Sequence, residues 1–444
     1  VILGSGPIRI GQGIEFDGCS VHCVWALKKL GYQTIIINNN PETVSTDPNI
    51  AHRLYFEPLT SEAVINILDI EKPVGVVVQF GGQPAIKLAK AVEEAGYSIL
   101  GTSLDSINRA EDRKEFDKLL SSLDILRPEG ATAFTADQAV SAARKLGYPV
   151  LVRPSYVLGG KGMEIAYNDD NVREYMDIIN LSHQDHPVLI DKYIRGKEIE
   201  VDAISDGEDI LIPGIMEHIE RSGVHSGDSI SVYPCQTLSV QIINQIIEYS
   251  HKLAKALKVK GLINIQYVEY GGRVYVIEVN PRSSRTVPYL SKVTGIPMVE
   301  LAVKASLGYR LKDMGYGTGL YEKKKYIAVK VPVFSFEKLP LVDTSLGPEM
   351  KSTGEVLGIG KSFPEALYKG MLAAGYAFPR DGNVLITVAD PDKQEIVPIA
   401  SKLSDLGLKI FATSGTALTL HSNHIAANVL RRVNEDEPNI ASVI

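Results

Sequence analysis

Leu262-Ile263-Asn264-Ile265-Gln266-Tyr267-Val268-Glu269-Tyr270-Gly271-Gly272-Arg273-Val274-Tyr275-Val276-Ile277-Glu278-Val279-Asn280-Pro281-Arg282 sets two alternating runs of apolar and polar residues around a Gly-Gly pair. A period of two predicts antiparallel strands with one face in a core. Glu278 and Asn280 are two apart and share a face. A plain Gly271-Gly272 hairpin would pair position 266 with 277 and mix the faces. Requiring Ile263, Ile265 and Tyr267 to share a core face with Tyr275, Ile277 and Val279 demands an odd loop, such as Gly271-Gly272-Arg273, or a bulge. That register brings Gln266 opposite Glu278. Three hard oxygen donors, Gln266, Glu278 and Asn280, then converge, and such a set suits Mg²⁺ (or Mn²⁺) bridging nucleotide phosphates. Arg282 and Arg285 place cations where phosphate oxygens would sit. The plainer alternative is an amphipathic hairpin with its polar face in water; the two arginines weigh against it.

Upstream, residues 1–110 alternate short apolar runs with helical periodicity. Strands are expected at Val1–Leu3, Thr34–Ile37, Arg53–Phe56, Val74–Phe80 and Ile99–Leu100. Helices are expected at Ser20–Leu30, Glu62–Ile70 and Pro84–Glu94, with Gly31 and Gly96 ending the first and last. The wholly apolar Val74–Val78 fits an open parallel α/β sheet covered on both faces. Residues 111–310 read as α+β. A capping box Thr135-x-x-Gln138 opens a helix ending at Gly147, and strands follow at Pro149–Arg153, Val188–Tyr193, Glu198–Ser205 and Ile210–Ile219, with a helix at Val240–Leu257. Residues 311–381 form a less legible connecting region in which Lys323-Lys324-Lys325 reads as a solvated loop. From Gly382 to Ile444 a new βαβ pattern appears, with strands at Val384–Val388 and Leu408–Ala412 and a helix near Glu395–Leu406.

Arg153 precedes Gly159-Gly160-Lys161-Gly162, where glycines would let backbone amides approach phosphate; a flexible hairpin loop explains it equally well. The run lacks the Walker spacing, and Gly4-Ser5-Gly6-Pro7-Ile8-Arg9 lacks the third glycine of a dinucleotide fingerprint. Arg221-Ser222-Gly223-Val224-His225-Ser226-Gly227-Asp228 shows a histidine in a small-residue loop after a strand, a place for a displayed functional group or a structural one. Cys19 and Cys23 read as packing residues, and His183, His186, His421 and His424 as surface. Thr413-Ser414-Gly415-Thr416 precedes a helix and offers either an anion site or simple N-capping.

The chain has 444 residues, 45% hydrophobic and 22% charged, with 46 basic against 53 acidic groups and a net charge of −7. Roughly three domains are expected from a prior of about 150 residues each. The acidic balance excludes a general nucleic-acid binder, and a mean hydropathy of +0.02 with no long apolar run excludes a membrane span. Three cysteines fit a reducing, cytoplasmic setting. Beginning at Val1, already strand-like, the chain reads as a segment of something longer.

Four stretches together resemble carbamoyl phosphate synthetase, specifically the C-terminal half of its large chain: Gly4–Asp17 (GSGPIRIGQGIEFD), Arg153–Gly160 (RPSYVLGG), Gly223–Asp228 (GVHSGD) and Glu278–Pro288 (EVNPRSSRTVP). Biotin carboxylase and other ATP-grasp enzymes share the metal–carboxylate logic without this set. The resemblance implies a pre-ATP-grasp α/β domain over 1–110, an ATP-grasp domain over 111–310, a connecting region over 311–381 completing the synthetase unit, and a partial methylglyoxal-synthase-like regulatory domain over 382–444. It implies phosphorylation of carbamate by ATP with Mg²⁺. Arg113, Arg153, Lys192, Ile194 and Glu198 would line the nucleotide site, with Lys192 standing where the family can carry Arg. Gly223, Val224, His225 and Ser226 would form a further wall. Gln266, Glu278 and Asn280 would hold the metal, and Arg282 and Arg285 would face the anion. Lys393, Thr413 and Thr416 would bind an effector phosphate. Partners implied are a glutamine amidotransferase small chain, the N-terminal half of the large chain and a small-molecule allosteric effector. Another ATP-dependent ligase and a non-catalytic nucleotide-binding fragment stand as rival readings.

Overall fold

The computed structural model describes residues 1–7, 14–154, 162–181, 187–338, 344–379, 381–437 and 439–443. The chain divides into two units, Val1–Gly375 and Tyr376–Ile444.

The first unit opens with a parallel sheet of β1 (Ile2–Leu3), β2 (Ile35–Ile37) and β3 (Arg53–Tyr55), extended by parallel bridges from Ile2 to Val77 and from Val76 to Ile99. The expected strand Val74–Phe80 thus contributes only its centre. Beyond it the chain passes against β1 so closely that a Cβ on Gly81 would lie 2.4 Å from the Gly4 carbonyl oxygen. The first helix, Glu15–Lys29, begins earlier than its apolar spacing suggested, and the expected Pro84–Glu94 helix is two pieces, Gly82–Ile86 and Ala89–Glu94.

A second, antiparallel sheet has the order β4-β7-β5-β6, from β4 (Gly130–Ala133), β5 (Val150–Pro154), β6 (Glu164–Ala166) and β7 (Val188–Lys192). The helix Ala136–Leu146 packs on it. Its N-terminus is capped by Thr135, whose hydroxyl accepts the Gln138 amide at 3.3 Å, while the Gln138 side chain accepts the Phe134 amide at 2.9 Å. The return bond therefore reaches one residue further out than in a standard capping box.

The large sheet runs β13-β12-β8-β10-β11-β15-β16, with β9 against β8 and β14 against β9. Its strands are β8 (Lys197–Asp206), β9 (Ile210–Ile212), β10 (Ile215–Arg221), β11 (Ser231–Tyr233), β12 (Lys260–Tyr270), β13 (Arg273–Asn280), β14 (Gly319–Leu320), β15 (Ile327–Val333) and β16 (Gly354–Gly360). The single strand expected over Ile210–Ile219 is broken at Pro213-Gly214. Proline supplies no ladder donor, and a Cβ on Gly214 would meet the Tyr233 ring at 2.2 Å. On one face Ile199, Val201 and Ala203 pack under the helix Val240–Ala256 through Ile242, Ile246 and Leu253. The opposite face of β8 carries Glu200 and Asp202, both buried. The poorly legible connecting region supplies β15 and β16, which continue the sheet beyond β11, covered by the helix Phe363–Ala373.

Gln79 joins the first sheet to the large one. Its amide nitrogen donates to Ser306 Oγ at 2.9 Å, and its amide oxygen accepts the Leu262 N–H at 2.9 Å. Gly261 has φ +115°, and a Cβ there would lie 2.2 Å from Gln79 Oε1, so only glycine fits.

The second unit is a parallel sheet of β17 (Asn383–Ile386), β18 (Lys409–Thr413) and β19 (Asn428–Leu430), with helices Lys393–Asp405 and Ser414–Ser422 around a core that includes Ile386, Ile410, Ala412 and Leu420.

Candidate functional site

β12 and β13 build the centre of the site. Their turn is the two-residue Gly271-Gly272, pairing Tyr270 with Arg273 and Tyr267 with Val276. Between Gln266 and Tyr267 the register shifts, so that Gln266 pairs with Glu278, Ile265 with Val279 and Asn264 with Asn280. Of the two solutions foreseen, the bulge is the one used, and Ile277 is the extra residue. The core face is accordingly Val274, Val276 and Val279, all buried, and not Tyr275, Ile277 and Val279; Ile277 is 38% exposed. A bulge reverses the alternation once, which an unbroken period-two reading does not anticipate.

Beyond the bulge, Gln266, Glu278, Asn280 and Asn264 share one face. Asn280 Nδ2 donates to Glu278 Oε1 and lies 3.5 Å from Asn264 Oδ1, and Gln266 Nε2 lies 3.4 Å from Ser226 Oγ. Arg282 Nη2 donates to Asn280 Oδ1 at 3.2 Å, its Nε has no hydrogen-bond partner among the described residues, and burial pushes its pKa below the ordinary value. Arg285 is held by Glu15, with Nη2 3.2 Å from Oε1 and Nε 3.4 Å from Oε2, and its Nη1 touches Met350 Sδ at 2.8 Å. The expected anion-facing cations are thus near the donor set, but Arg285 already has a carboxylate partner.

Arg113 and Arg153 meet on one group absent from the expected set. Arg113 grips Asp191 through both Nη atoms, and Arg153 Nε donates to Asp191 Oδ2 at 3.0 Å. Burial alone would raise the Asp191 carboxyl, but the Arg113 bonds and the charges of Arg153 and Arg127 hold it low. Lys192, next along β7, donates its ammonium to the Gly147 carbonyl at 2.7 Å. The Ile194 carbonyl accepts the Ser222 hydroxyl and the Gly196 amide.

Glu198 accepts the Gly223 amide at 3.0 Å and approaches His218 Nδ1 at 3.4 Å, while His218 Nε2 lies 3.5 Å from Glu200. Neither ring nitrogen makes an aligned hydrogen bond, so the contacts act through charge. Burial would lower the His218 pKa, yet the two glutamates raise it to about 9. His218 is therefore a buried imidazolium between two carboxylates. Glu200 is held low against burial, chiefly by His218, whereas burial and the Glu200 charge push Asp202 up. Asn264 Nδ2 links the two acids, at 2.7 Å from Glu200 and 3.1 Å from Asp202.

In the loop Gly223–Ser229, His225 Nδ1 accepts the Gly227 amide at 3.0 Å, which leaves its proton on Nε2, and burial lowers its pKa so the ring is neutral at pH 7. Lys330, from β15, is buried and donates to the Ser226 carbonyl at 3.1 Å. Sequence reasoning missed Asp191, His218, Glu200, Asp202 and Lys330. The one signal available was the row Glu198, Glu200, Asp202 on a strand whose opposite face carries the apolar Ile199, Val201 and Ala203. Arg9, His183, His186 and the Gly159–Lys161 run lie outside the described residues. Cys19 and Cys23 are buried free thiols whose pKa values burial drives up, as packing residues would be.

In the second unit Thr413 makes no side-chain cap on the helix Ser414–Ser422, contrary to the N-capping alternative. Its hydroxyl instead meets Thr387 Oγ1 at 3.2 Å and Thr416 Oγ1 at 3.5 Å. Lys393 Nζ, which also bonds Asp390, lies 2.5 Å from where a Cβ on Gly415 would be, so an ammonium and three hydroxyls gather at that helix start. No helix among the described residues is long and apolar enough to cross a membrane.

Over about three quarters or more of its length the chain shares its fold with proteins solved in complex with ADP. The biotin carboxylase domain of Hydrogenobacter thermophilus 2-oxoglutarate carboxylase, solved with MgADP, ADP and bicarbonate, is similar with a TM-score of 0.61 at 20% identity, covering 76% of this chain and 75% of that one. An ADP complex of N5-carboxyaminoimidazole ribonucleotide synthetase gives 0.65 at 15% identity, over 84% and 95%. At these identities the likeness shows the fold alone. Family models match closely along the chain: the carbamoyl phosphate synthase preATP-grasp domain at residues 1–109, the carbamoyl-phosphate synthase L chain ATP binding domain at 112–314, and an MGS-like domain at 395–444. The carbamoyl phosphate synthase large chains of Lachnoclostridium phytofermentans and Agathobacter rectalis are 60% and 58% identical over all 444 residues. The chain belongs to the carbamoyl phosphate synthase large-chain family, and it spans 42% of the length of those two relatives.

Proposed function

We propose that this chain carries the ATP-dependent phosphorylation of carbamate to carbamoyl phosphate. The observation that carries the reading is the convergence of Gln266, Glu278 and Asn280 on one face of a bulged hairpin, with the Arg282 guanidinium alongside. Two of the three donors are amides and one is a carboxylate, all hard oxygen ligands, a set that fits Mg²⁺ or Mn²⁺ and lacks the nitrogen and sulfur favoured by zinc. When bound there, the metal would neutralise charge on the nucleotide phosphates.

The carbamate oxygen attacks the γ-phosphorus of ATP, an O–P bond forms, and the bond to the β-phosphate oxygen breaks to release ADP. Phosphoryl transfer of this kind needs position and charge more than covalent catalysis. Arg113 and Arg153, aligned by Asp191, would hold the phosphates. Lys192, Ile194 and Glu198 would line the base and ribose. Gly223, Val224, His225 and Ser226 would close the opposite wall. Arg282 would face the developing charge, joined by Arg285 once carbamate competes with Glu15 for its guanidinium. Carbamate decomposes in water, so burial of the surrounding groups favours productive transfer.

On this reading residues 1–110, 111–310 and 311–381 act as one synthetase unit, and the last supplies β15 and β16 to the sheet. Lys393, Thr413 and Thr416 would take the phosphate of a small allosteric effector. The partners would be a glutamine amidotransferase small chain and the remainder of the large chain, and the setting cytoplasmic. The test is synthesis of ATP from ADP and carbamoyl phosphate with Mg²⁺. Mg²⁺-dependent turnover is expected; none, from folded chain that binds MgADP, would overturn the reading.

A further inference from the structure

We propose that Asp228 is a positioning residue for this site, clasping the loop Gly223–Ser229 to the segment Gly347–Ser352 so that Ser226 stays opposite Gln266. The inference rests on reading that loop as a wall of the nucleotide site.

Asp228 is fully buried, and main-chain amides from far along the chain take both its oxygens. Lys351 N–H donates to Oδ2 at 2.7 Å and Ser352 N–H to Oδ1 at 2.8 Å. Burying a carboxylate is costly, and two charge-assisted bonds are what make the arrangement tolerable. Two more bonds cross the same seam. Ser352 Oγ donates to the Gly227 carbonyl at 3.1 Å, and the His225 amide donates to the Gly347 carbonyl at 2.9 Å.

The clasp leads directly to the proposed chemistry. On the loop, two residues before Asp228, the Ser226 hydroxyl meets Gln266 at 3.4 Å and its carbonyl accepts Lys330. On the facing segment, one residue before Lys351, Met350 touches Arg285. Arg285 also lies close against the loop, since a Cβ on Gly227 would be 2.3 Å from its Nη1. The Asp228 carboxylate bonds to main-chain amides of the facing segment, and its own amide donates to the His225 carbonyl at 2.8 Å; it acts by fixing the two segments that carry or flank the groups proposed to meet nucleotide or metal. The segment it grips lies beyond residue 314, outside the stretch that matches the ATP-binding family model.

Asp228→Asn keeps the size but sets an amide against two backbone donors, and Ser352→Ala removes one neighbouring bond. The full chain would be assayed for MgADP binding by calorimetry, for the KM and kcat of ATP synthesis from ADP and carbamoyl phosphate, and for thermal unfolding. Asp228→Asn is expected to weaken MgADP binding and raise the KM for ADP at least about tenfold with a smaller change in kcat, and Ser352→Ala about threefold in the same direction. A folded Asp228→Asn chain that binds MgADP as the wild type does would overturn the inference, since a purely structural role lowers the unfolding temperature alone. If Asp228→Asn fails to fold, unchanged binding in Ser352→Ala overturns it instead. Wild-type chain that binds no MgADP would sink the reading of the site, and this inference with it.

Discussion

Gln266 faces Glu278 across the β12–β13 ladder because Ile277, between the paired residues Val276 and Glu278, bulges out of register. Were the ladder to run unbroken with Ile277 in register, the amide would confront that isoleucine and the carboxylate would turn toward the core. The bulge sets the donor geometry while leaving the hairpin turn at its shortest, which agrees with the frequent placement of bulges beside sites.

Replacing Glu278 with Gln keeps the shape of the hairpin and removes the one carboxylate among the three donors. Glu278 is exposed, so the unfolding temperature should barely move. The rate of ATP synthesis from ADP and carbamoyl phosphate should fall by at least about a hundredfold. Activity near wild type would refute the ligand assignment.

His218 gives the interior a pH signature. Its pKa in the folded chain is raised to about 9 from an ordinary 6.5, so its stabilisation is complete below about pH 6.5 and disappears as pH rises toward 9. That window corresponds to on the order of 3 kcal/mol. The stability gap between wild type and His218→Asn, measured by denaturant unfolding at several pH values, should be widest at pH 6 and shrink by pH 9. A gap that stays constant would show that the ring is neutral throughout.

Asp191 orients two arginines at once. Asp191→Asn leaves the guanidinium groups of Arg113 and Arg153 repelling each other across a partly buried space. It should lower stability by about 3 kcal/mol and weaken MgADP binding more than carbamoyl phosphate binding. Equal loss for both ligands in the KM values would place the arginines elsewhere in the reaction.

Gly261→Ala tests the seam between the first sheet and the large one. The added Cβ would collide with Gln79 at a φ that L residues rarely adopt, so unfolding should become easier by about 2 kcal/mol or more. A pairing change, Gly261→Ala with Gln79→Ala, should recover only the steric part, which denaturant unfolding would resolve.

The open parallel sheet and the Gln266–Glu278 face could be read from the sequence because each rests on local periodicity. What escaped depends on partners far apart in the chain. Asp191 looks like an ordinary strand residue until Arg113 and Arg153 arrive from separate elements, and His218 is unremarkable without Glu198 and Glu200 on the neighbouring strand. The bulge was foreseen as one of two solutions, since spacing cannot distinguish a longer turn from an inserted residue. β15 and β16 were illegible for a compositional reason: Lys330 and Pro332 interrupt the first, and Gly354, Gly358 and Gly360 dilute the second. Their pleated form comes from the sheet they join.

That late joining bears on how the protein can be dissected. Cutting at residue 314, where the match to the ATP binding domain ends, would strip β11 of β15, one of its two neighbours, bare Val232, and withdraw the only lysine that reaches the Ser226 carbonyl among the described residues. A recombinant piece ended there should precipitate or swap strands with another copy, whereas one carried through Gly375 keeps the edge covered.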